Sequence, residues 1–159
     1  MARKGPSKPR KIFPDPVYKN EMLSRLINRS MLDGKKSVAA RNVYQAMEKI
    51  KAETKQNPVE IFELALENIR PTMEVRPRRV GGAAYQVPMP VRGPRKESLA
   101  IRWLIFAARS RSNSEFKTFG DKLAAEIIDA SKGEGGAVTK RAEMERIAEA
   151  NRAFSHFRW

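Results

Sequence analysis

Residues 76–91 read RPRRVGGAAYQVPMPV, and the centre of that stretch sets the architecture. Gly81 and Gly82 are adjacent between two extended runs, and both can take the positive φ that a tight two-residue hairpin turn demands. A β-ribbon is the expected result. Pro77, Pro88 and Pro90 fall within the two runs, where each removes a ladder donor, so the ribbon is not an interior part of a larger sheet and must project or lie on an edge. Limbs of about 8 residues, at about 3.3 Å per residue, reach about 25 Å. Arg76, Arg78 and Arg79 lie on the first limb with almost no balancing acid, and a cationic finger of this kind calls for a polyanion.

The composition narrows the choice. A chain of 159 residues without a long low-complexity insert is expected to form one domain over residues 1–159 around a single modest core. Lys and Arg outnumber Asp and Glu 32 to 18, for a net charge of +14, which opposes compaction unless an anion is bound. Nucleic acid leads, and an anionic membrane surface is the rival. No segment approaches the roughly 20 apolar residues of a membrane span, and the start lacks the apolar core of a signal peptide, so a cytoplasmic location is expected. With no Cys there is no disulfide framework and no thiol nucleophile, and a single His argues against zinc. No cofactor, no metal and no enzymatic activity are expected.

Around the ribbon the pattern is helical. Residues 1–11 carry Arg3, Lys4, Lys8, Arg10 and Lys11 with no acid, which reads as a basic arm, disordered alone, that folds onto its partner. Over residues 20–31, Met22, Leu23, Leu26, Ile27 and Met31 recur at helical spacing, and Asp33 with Gly34 ends the run. A second helix is expected over about 37–51, burying Ala39, Val43, Ala46, Met47 and Ile50. A third opens with Asn57 as N-cap, Pro58 at the first helical position and Glu60 where a capping-box acid belongs. Phe62, Ala65, Leu66 and Ile69 form its stripe, and Pro71 stops it. The hairpin arm then spans 72–91. Arg92, Gly93 and Pro94 turn the chain into SLAIRWLIFAA, apolar on nearly every face and expected to be the central helix. A fifth helix is expected from about Ser114, with Phe116, Phe119, Leu123, Ile127 and Ala130 on one side, closed by Gly133, Gly135 and Gly136. A sixth, over about 138–151, has the thin stripe of a surface helix in Met144, Ile147 and Ala148. The fold class is therefore mainly α, a bundle of about six helices with a protruding β-hairpin arm between the third and fourth.

Each candidate site has two readings. Lys35 and Lys36 follow Gly34 at a helix start, which suits phosphate, but Arg29 occupies the position of the first glycine of a nucleotide-binding loop. Nucleotide hydrolysis is rejected, leaving phosphate contact or a solvated turn. GEGGAVTKR fails the same pattern and is a helix boundary whose Lys132, Lys140 and Arg141 add charge. Arg25 and Arg29 share one helix face, as do Arg102 and Arg109; each pair either meets backbone phosphate or serves solubility. Arg95 and Lys96, placed between ribbon and central helix, extend the ribbon's charge. Tyr85 either stacks on an unpaired base or covers the ribbon's base, and Phe154, His156, Phe157 and Trp159 either bind bases or dock the tail on the protein. Trp103 reads as core. His156 has no evident acid or metal partner, and Glu63 with Glu67 suit surface ion pairing rather than acid-base chemistry.

The stretches DGKKSVAARNVY, ENIRPTMEVRPRRVGGAAYQVPMPV, SLAIRWL and GGAVTKRAEMERIAEANRAFSHFRW resemble the bacterial small-subunit ribosomal protein seven family, with the ribbon and C-terminal stretches the most specific. The N-terminal arm and residues 106–121 match less clearly. That resemblance implies a structural constituent of the small subunit, a primary binder of the 3′ major domain of 16S rRNA that nucleates head assembly. It also implies a place at the subunit interface near the exit-site tRNA and the mRNA path, beside ribosomal proteins nine and eleven. By position, it implies that Lys35, Lys36, Arg76, Arg78, Arg79, Arg95 and Arg102 face rRNA, and that Gly81, Gly82 and Ala83, with Tyr85 behind them, form a tip that approaches tRNA. Arg3, Lys4, Arg10, Lys11, Arg25, Arg29, Lys96 and Arg109 complete the expected rRNA-binding set.

Two other classes compete with this reading. A DNA-bending architectural protein would prefer duplex DNA and dimerise, yet no self-pairing seam is evident. An RNA-processing enzyme would need a catalytic constellation, and the sequence offers none.

Overall fold

A computed structural model describes Gly5 and residues 11–157. Arg3, Lys4, Lys8 and Arg10 of the expected arm, and Arg158 and Trp159 of the tail, lie outside the described residues.

Helix α1, Glu21–Ser30, starts where Asn20 Oδ1 accepts hydrogen bonds from the Met22 and Leu23 amides at 2.8 and 3.1 Å. It buries Leu23, Leu26 and Ile27. Asp33 and Gly34, both at positive φ, turn the chain into α2, Lys36–Thr54, which buries the five residues expected of it. Helix α3, Pro58–Ile69, is capped by Asn57, whose Oδ1 accepts from the Val59 amide at 3.1 Å. Glu60 does not close a capping box: its carboxylate accepts from the Asn57 side-chain amide at 3.0 Å, steadying the cap itself.

Strands β1, Met73–Val80, and β2, Ala83–Pro90, pair antiparallel in a two-stranded sheet. Gly81 and Gly82 form the connection at φ 57° and 88°, the double positive φ that matches the twist of the flanking strands.

Helix α4, Gly93–Ser110, begins earlier than the apolar run suggested. Gly93 and Pro94 are not a separate turn but the first residues of the helix, with Arg92 as N-cap, because a proline without an amide proton suits the opening turn. Arg95 and Lys96 therefore belong to α4. Helix α5, Phe119–Ser131, begins later than expected. Thr118 and Asp121 form a reciprocal capping box at 3.2 Å in each direction, and this sets the start. Phe116 lies in the preceding loop, 5.6 Å beneath the Arg111 guanidinium. Helix α6, Gly136–Ala150, buries only Ala137 and Ala148, as befits a surface helix, and a 3-10 helix over Arg152–Phe157 ends the described chain.

Helix α5 packs against α2, α3, α4 and α6, while α4 also meets α1, so these two helices share the centre. Phe62, Leu66, Ile69, Leu104, Leu123 and Ile127 meet there with at most 1% exposure, and Trp103 is buried as expected. Two polar clusters brace this core. Glu126 on α5 accepts from Arg111 Nε at 2.7 Å and from the Ala137 amide at 2.8 Å, while Arg111 also pairs with Asp129. One buried carboxylate thus ties the α4–α5 loop to the start of α6. Asp15, also buried, accepts from the Val17 and Tyr18 amides at 3.1 and 3.0 Å and from the Tyr44 hydroxyl at 2.7 Å, pinning the segment before α1 to α2. Burial, then that hydrogen bond to a carboxylate, pushes the Tyr44 phenol up to about 12.

Candidate nucleic-acid interface

Because α4 begins at Gly93, Arg95, Arg102 and Arg109 all lie on it, seven residues apart, and all three are exposed. Seven residues return to nearly the same side of a helix, drifting by about 20°. The three make one stripe of about 21 Å at about 1.5 Å per residue. Reading Arg95 as lying before the helix hid this continuity.

One end of the stripe meets the ribbon. Glu74, 6% exposed, accepts from Arg95 Nε at 3.1 Å and from Arg76 Nε at 2.7 Å. A buried carboxylate is stable only when paired, so Glu74 fixes the base of the ribbon on the first turn of α4. The ribbon consequently carries more balancing acid than its sequence suggested. The other end meets α1: Arg109 Nη2 donates to the Ser30 carbonyl at 3.0 Å, and its guanidinium lies 5.8 Å from the centre of the Phe119 ring. A groove of about 450 Å³ opens there, with Arg109, Lys35, Leu32 and Val38 among its walls. Lys35 is the N-cap of α2 and Lys36 its first residue, both exposed beside the positive end of the helix dipole.

Along its flank the stripe borders α1. A second groove, of about 340 Å³, lies between Arg25, Asn28 and Arg29 of α1 and Ser98 and Ile101 of α4, with Ile12 closing one side. Arg25 and Arg29 differ in state. Arg25 is partly buried and paired with Glu21 at 2.7 Å and with Glu97, whereas Arg29 is exposed. Lys11 is exposed, and Lys96 is partly covered in the first turn of α4.

Strand alternation splits the ribbon arginines. Arg76 and Arg78 share one face, opposite Val87 and Tyr85, while Arg79 is on the other, opposite Ala84. The tip residues Gly81, Gly82 and Ala83 are exposed, and a Cβ built on either glycine meets nothing within 4 Å. Behind the tip, the Tyr85 ring packs against Phe154 at 5.2 Å and Phe157 at 5.3 Å between centroids. The tail docks on the ribbon, and Tyr85 is the surface it docks on. His156 lies against Phe157 at 4.0 Å, with Nδ1 2.9 Å from the Ala153 carbonyl oxygen. Other cations brace the fold: Arg141 donates to the Asn68 carbonyl at 2.6 Å, and Lys140 pairs with Glu143 at 2.8 Å. Glu63 accepts from Asn20 Nδ2 at 2.6 Å.

Sequence reasoning passed over two residues of this face. Glu74 was the one acid in the first limb, and its place two residues before Arg76 on the same strand face was a usable signal. Phe106 falls within the stretch read as apolar on nearly every face, yet it is 67% exposed. It lies four residues after Arg102 and three before Arg109, spacing that puts it on the arginine stripe.

The family model for ribosomal protein S7p/S5e matches residues 2–152. The chain belongs to that family. It is 54% identical over 159 residues to the small ribosomal subunit protein uS7 of Caldicellulosiruptor bescii, and equally to that of Dictyoglomus thermophilum, covering 100% of both chains in each case. The uS7 protein of Carboxydothermus hydrogenoformans is 50% identical over the same full length. Family membership makes the chain a ribosomal protein and not an enzyme. Membership also makes it an RNA-binding protein of the small ribosomal subunit. No helix among the described residues is long and apolar enough to cross a membrane.

Proposed function

We propose that this chain, a structural constituent of the small ribosomal subunit in the cytoplasm, is one rRNA-binding domain that binds the 3′ major domain of 16S rRNA early and nucleates assembly of the head. The observation that carries this reading is the stripe of three arginines along α4, anchored to the ribbon through Glu74 and to α1 through Ser30. Such a rigid stripe presents charges at set intervals to converging phosphates, so binding is electrostatic in strength and geometric in selectivity. Arginine suits the task because its planar fork bridges two phosphate oxygens. Arg25, Arg29, Lys35, Lys36, Arg76, Arg78, Arg79, Lys96 and Lys11 extend the contact on either side, and Arg3, Lys4 and Arg10 add the charge of the arm. The tip at Gly81, Gly82 and Ala83, bare of bulk, approaches the exit-site tRNA, with the mRNA path and ribosomal proteins nine and eleven nearby.

The test is competition binding of the full chain to a 3′ major-domain rRNA fragment against equal-length duplex DNA and scrambled RNA at several salt concentrations. A preference for the fragment that survives moderate salt is expected. Equal affinities that collapse together as salt rises would reduce the protein to a generic polycation. Deleting the ribbon tip is expected to leave fragment binding intact and to disturb tRNA or reading-frame behaviour in assembled ribosomes.

A further inference from the structure

We propose that Phe106 is a base-stacking residue, taking an unpaired nucleobase of the bound RNA between Arg102 and Arg109. The inference rests on the RNA-binding reading above and adds a contact that charge alone does not supply.

The residues on either side of Phe106, Ile105 and Ala107, are buried at 5% and 6%, whereas Phe106 itself is 67% exposed. A single exposed apolar side chain is ordinary on a protein surface. This one is distinguished by its setting. At about 1.5 Å per residue its ring lies about 6 Å along the axis from the level of Arg102 and about 4.5 Å from that of Arg109. The sole acid of α4, Glu97, is already paired with Arg25, so nothing on the helix opposes a polyanion along this line. Phosphates drawn to the two arginines would carry their bases past the ring, and any unpaired base presents a π-face that stacks without regard to sequence. The same complementarity disfavours a protein occupant, which would have to bring acids to both arginines and an apolar patch between them. Helical rigidity holds the ring in register with both charges, and because Phe106 is outside the core its replacement leaves the fold intact.

The experiment uses the full-length protein and the 3′ major-domain rRNA fragment, with F106A, F106L, F106Y and R102A, each checked for an unchanged thermal midpoint. F106A is expected to weaken binding about 5- to 150-fold, the range for losing one stacked base, with the slope of affinity against salt unchanged because no charge is removed. R102A is expected to lower that slope. F106L should bind as weakly as F106A, and F106Y should restore affinity. Wild-type affinity for F106A overturns the proposal, and so does full recovery by F106L, since leucine keeps apolar area but has no π-face. A defect seen only in assembled subunits and absent on the fragment overturns it too, pointing to a protein neighbour. If the wild-type chain fails to prefer the fragment over scrambled RNA, the RNA-binding reading falls first, and that result is read without any Phe106 variant.

Discussion

The Tyr85 ring of strand β2 lies 5.2 Å from the Phe154 ring of the C-terminal 3-10 helix, which buries no residue in the core. The tail is therefore held on the ribbon by its aromatic contacts, with Phe157 closing the second side of Tyr85 at 5.3 Å. Strand β2 is also the limb whose start forms the ribbon tip, so the tail braces the ribbon itself.

Replacing Phe154 and Phe157 together by Ala is expected to free the tail. Each aromatic pair is worth about 0.5–1.5 kcal/mol beyond its buried area. Hydrogen exchange at residues 152–157 and in β2 should accelerate while the global unfolding midpoint stays near that of the wild type. A large drop in the midpoint would mean that the tail belongs to the core after all.

Arg111→Ala is expected to be among the costliest single changes outside the apolar core. It strips the partner from Glu126, which is 1% exposed, and breaking a buried pair this way costs about 3–5 kcal/mol. Urea unfolding of Arg111→Ala alone and with Glu126→Gln tests it. The double variant should recover part of the loss because no buried charge is left alone. Equal stability of wild type and Arg111→Ala would contradict the assignment.

Gly135 has φ 92°, and a Cβ there would lie 3.1 Å from Glu126 Oε1. Gly135→Ala combines a disfavoured backbone with a crowded carboxylate, and a loss of about 1–3 kcal/mol is expected. Thermal melts check this, and an unchanged midpoint would show that the turn relaxes freely.

Alkaline stability should depend on Tyr44. Its phenol is raised from 10.0 to about 12, chiefly by burial and then by its hydrogen bond to Asp15, and burial also raises Tyr18. A group raised in the folded state contributes its full stability below the unfolded pKa and loses it as pH climbs through the folded one. The window is therefore from about pH 10 to about pH 12. Tyr44→Phe should flatten this decline and cost about 1.5–3 kcal/mol at neutral pH, where it removes a hydrogen bond to a carboxylate. Denaturant midpoints measured from neutral to alkaline pH would coincide for the two proteins if the hydroxyl were idle.

For the ribbon, Arg79→Ala is expected to lower the salt slope of rRNA binding by about 0.7–0.9, the contribution of one phosphate contact. Arg76→Ala should lower it less, since Arg76 already shares Glu74 with Arg95. The triple replacement of Arg76, Arg78 and Arg79 should weaken binding and flatten its salt dependence without unfolding the bundle. Wild-type affinity and slope in the triple variant would remove the ribbon from the binding face.

Local chemistry was legible wherever a residue acts on its own stretch of chain. Gly81 and Gly82 announced the hairpin because few other residues take consecutive positive φ, and Asn57 with Pro58 announced α3 because their cap lies within one turn. The miss at α5 was of the same local kind: Thr118 and Asp121 spell a capping box, but the apolar spacing of Phe116 and Phe119 drew the boundary outward. The exposure of Phe106 was not legible because a stretch so apolar gives no periodic sign of which side faces out.

By itself, then, the sequence determined the helical bundle with its inserted ribbon, the family, and the excess of cations that demands an anionic partner. These follow from periodicity, caps and charge, each set by neighbours a few residues apart. Only the tertiary structure decided which cations remain available. Glu74 takes up Arg95, Glu97 takes up Arg25, and Glu126 takes up Arg111, across separations in sequence that no spacing rule spans. The same packing joined the arginine stripe of α4 to the ribbon and to α1, and laid the tail on Tyr85. Coulomb and aromatic contacts depend on distance in space, and that distance exists only once the chain has folded.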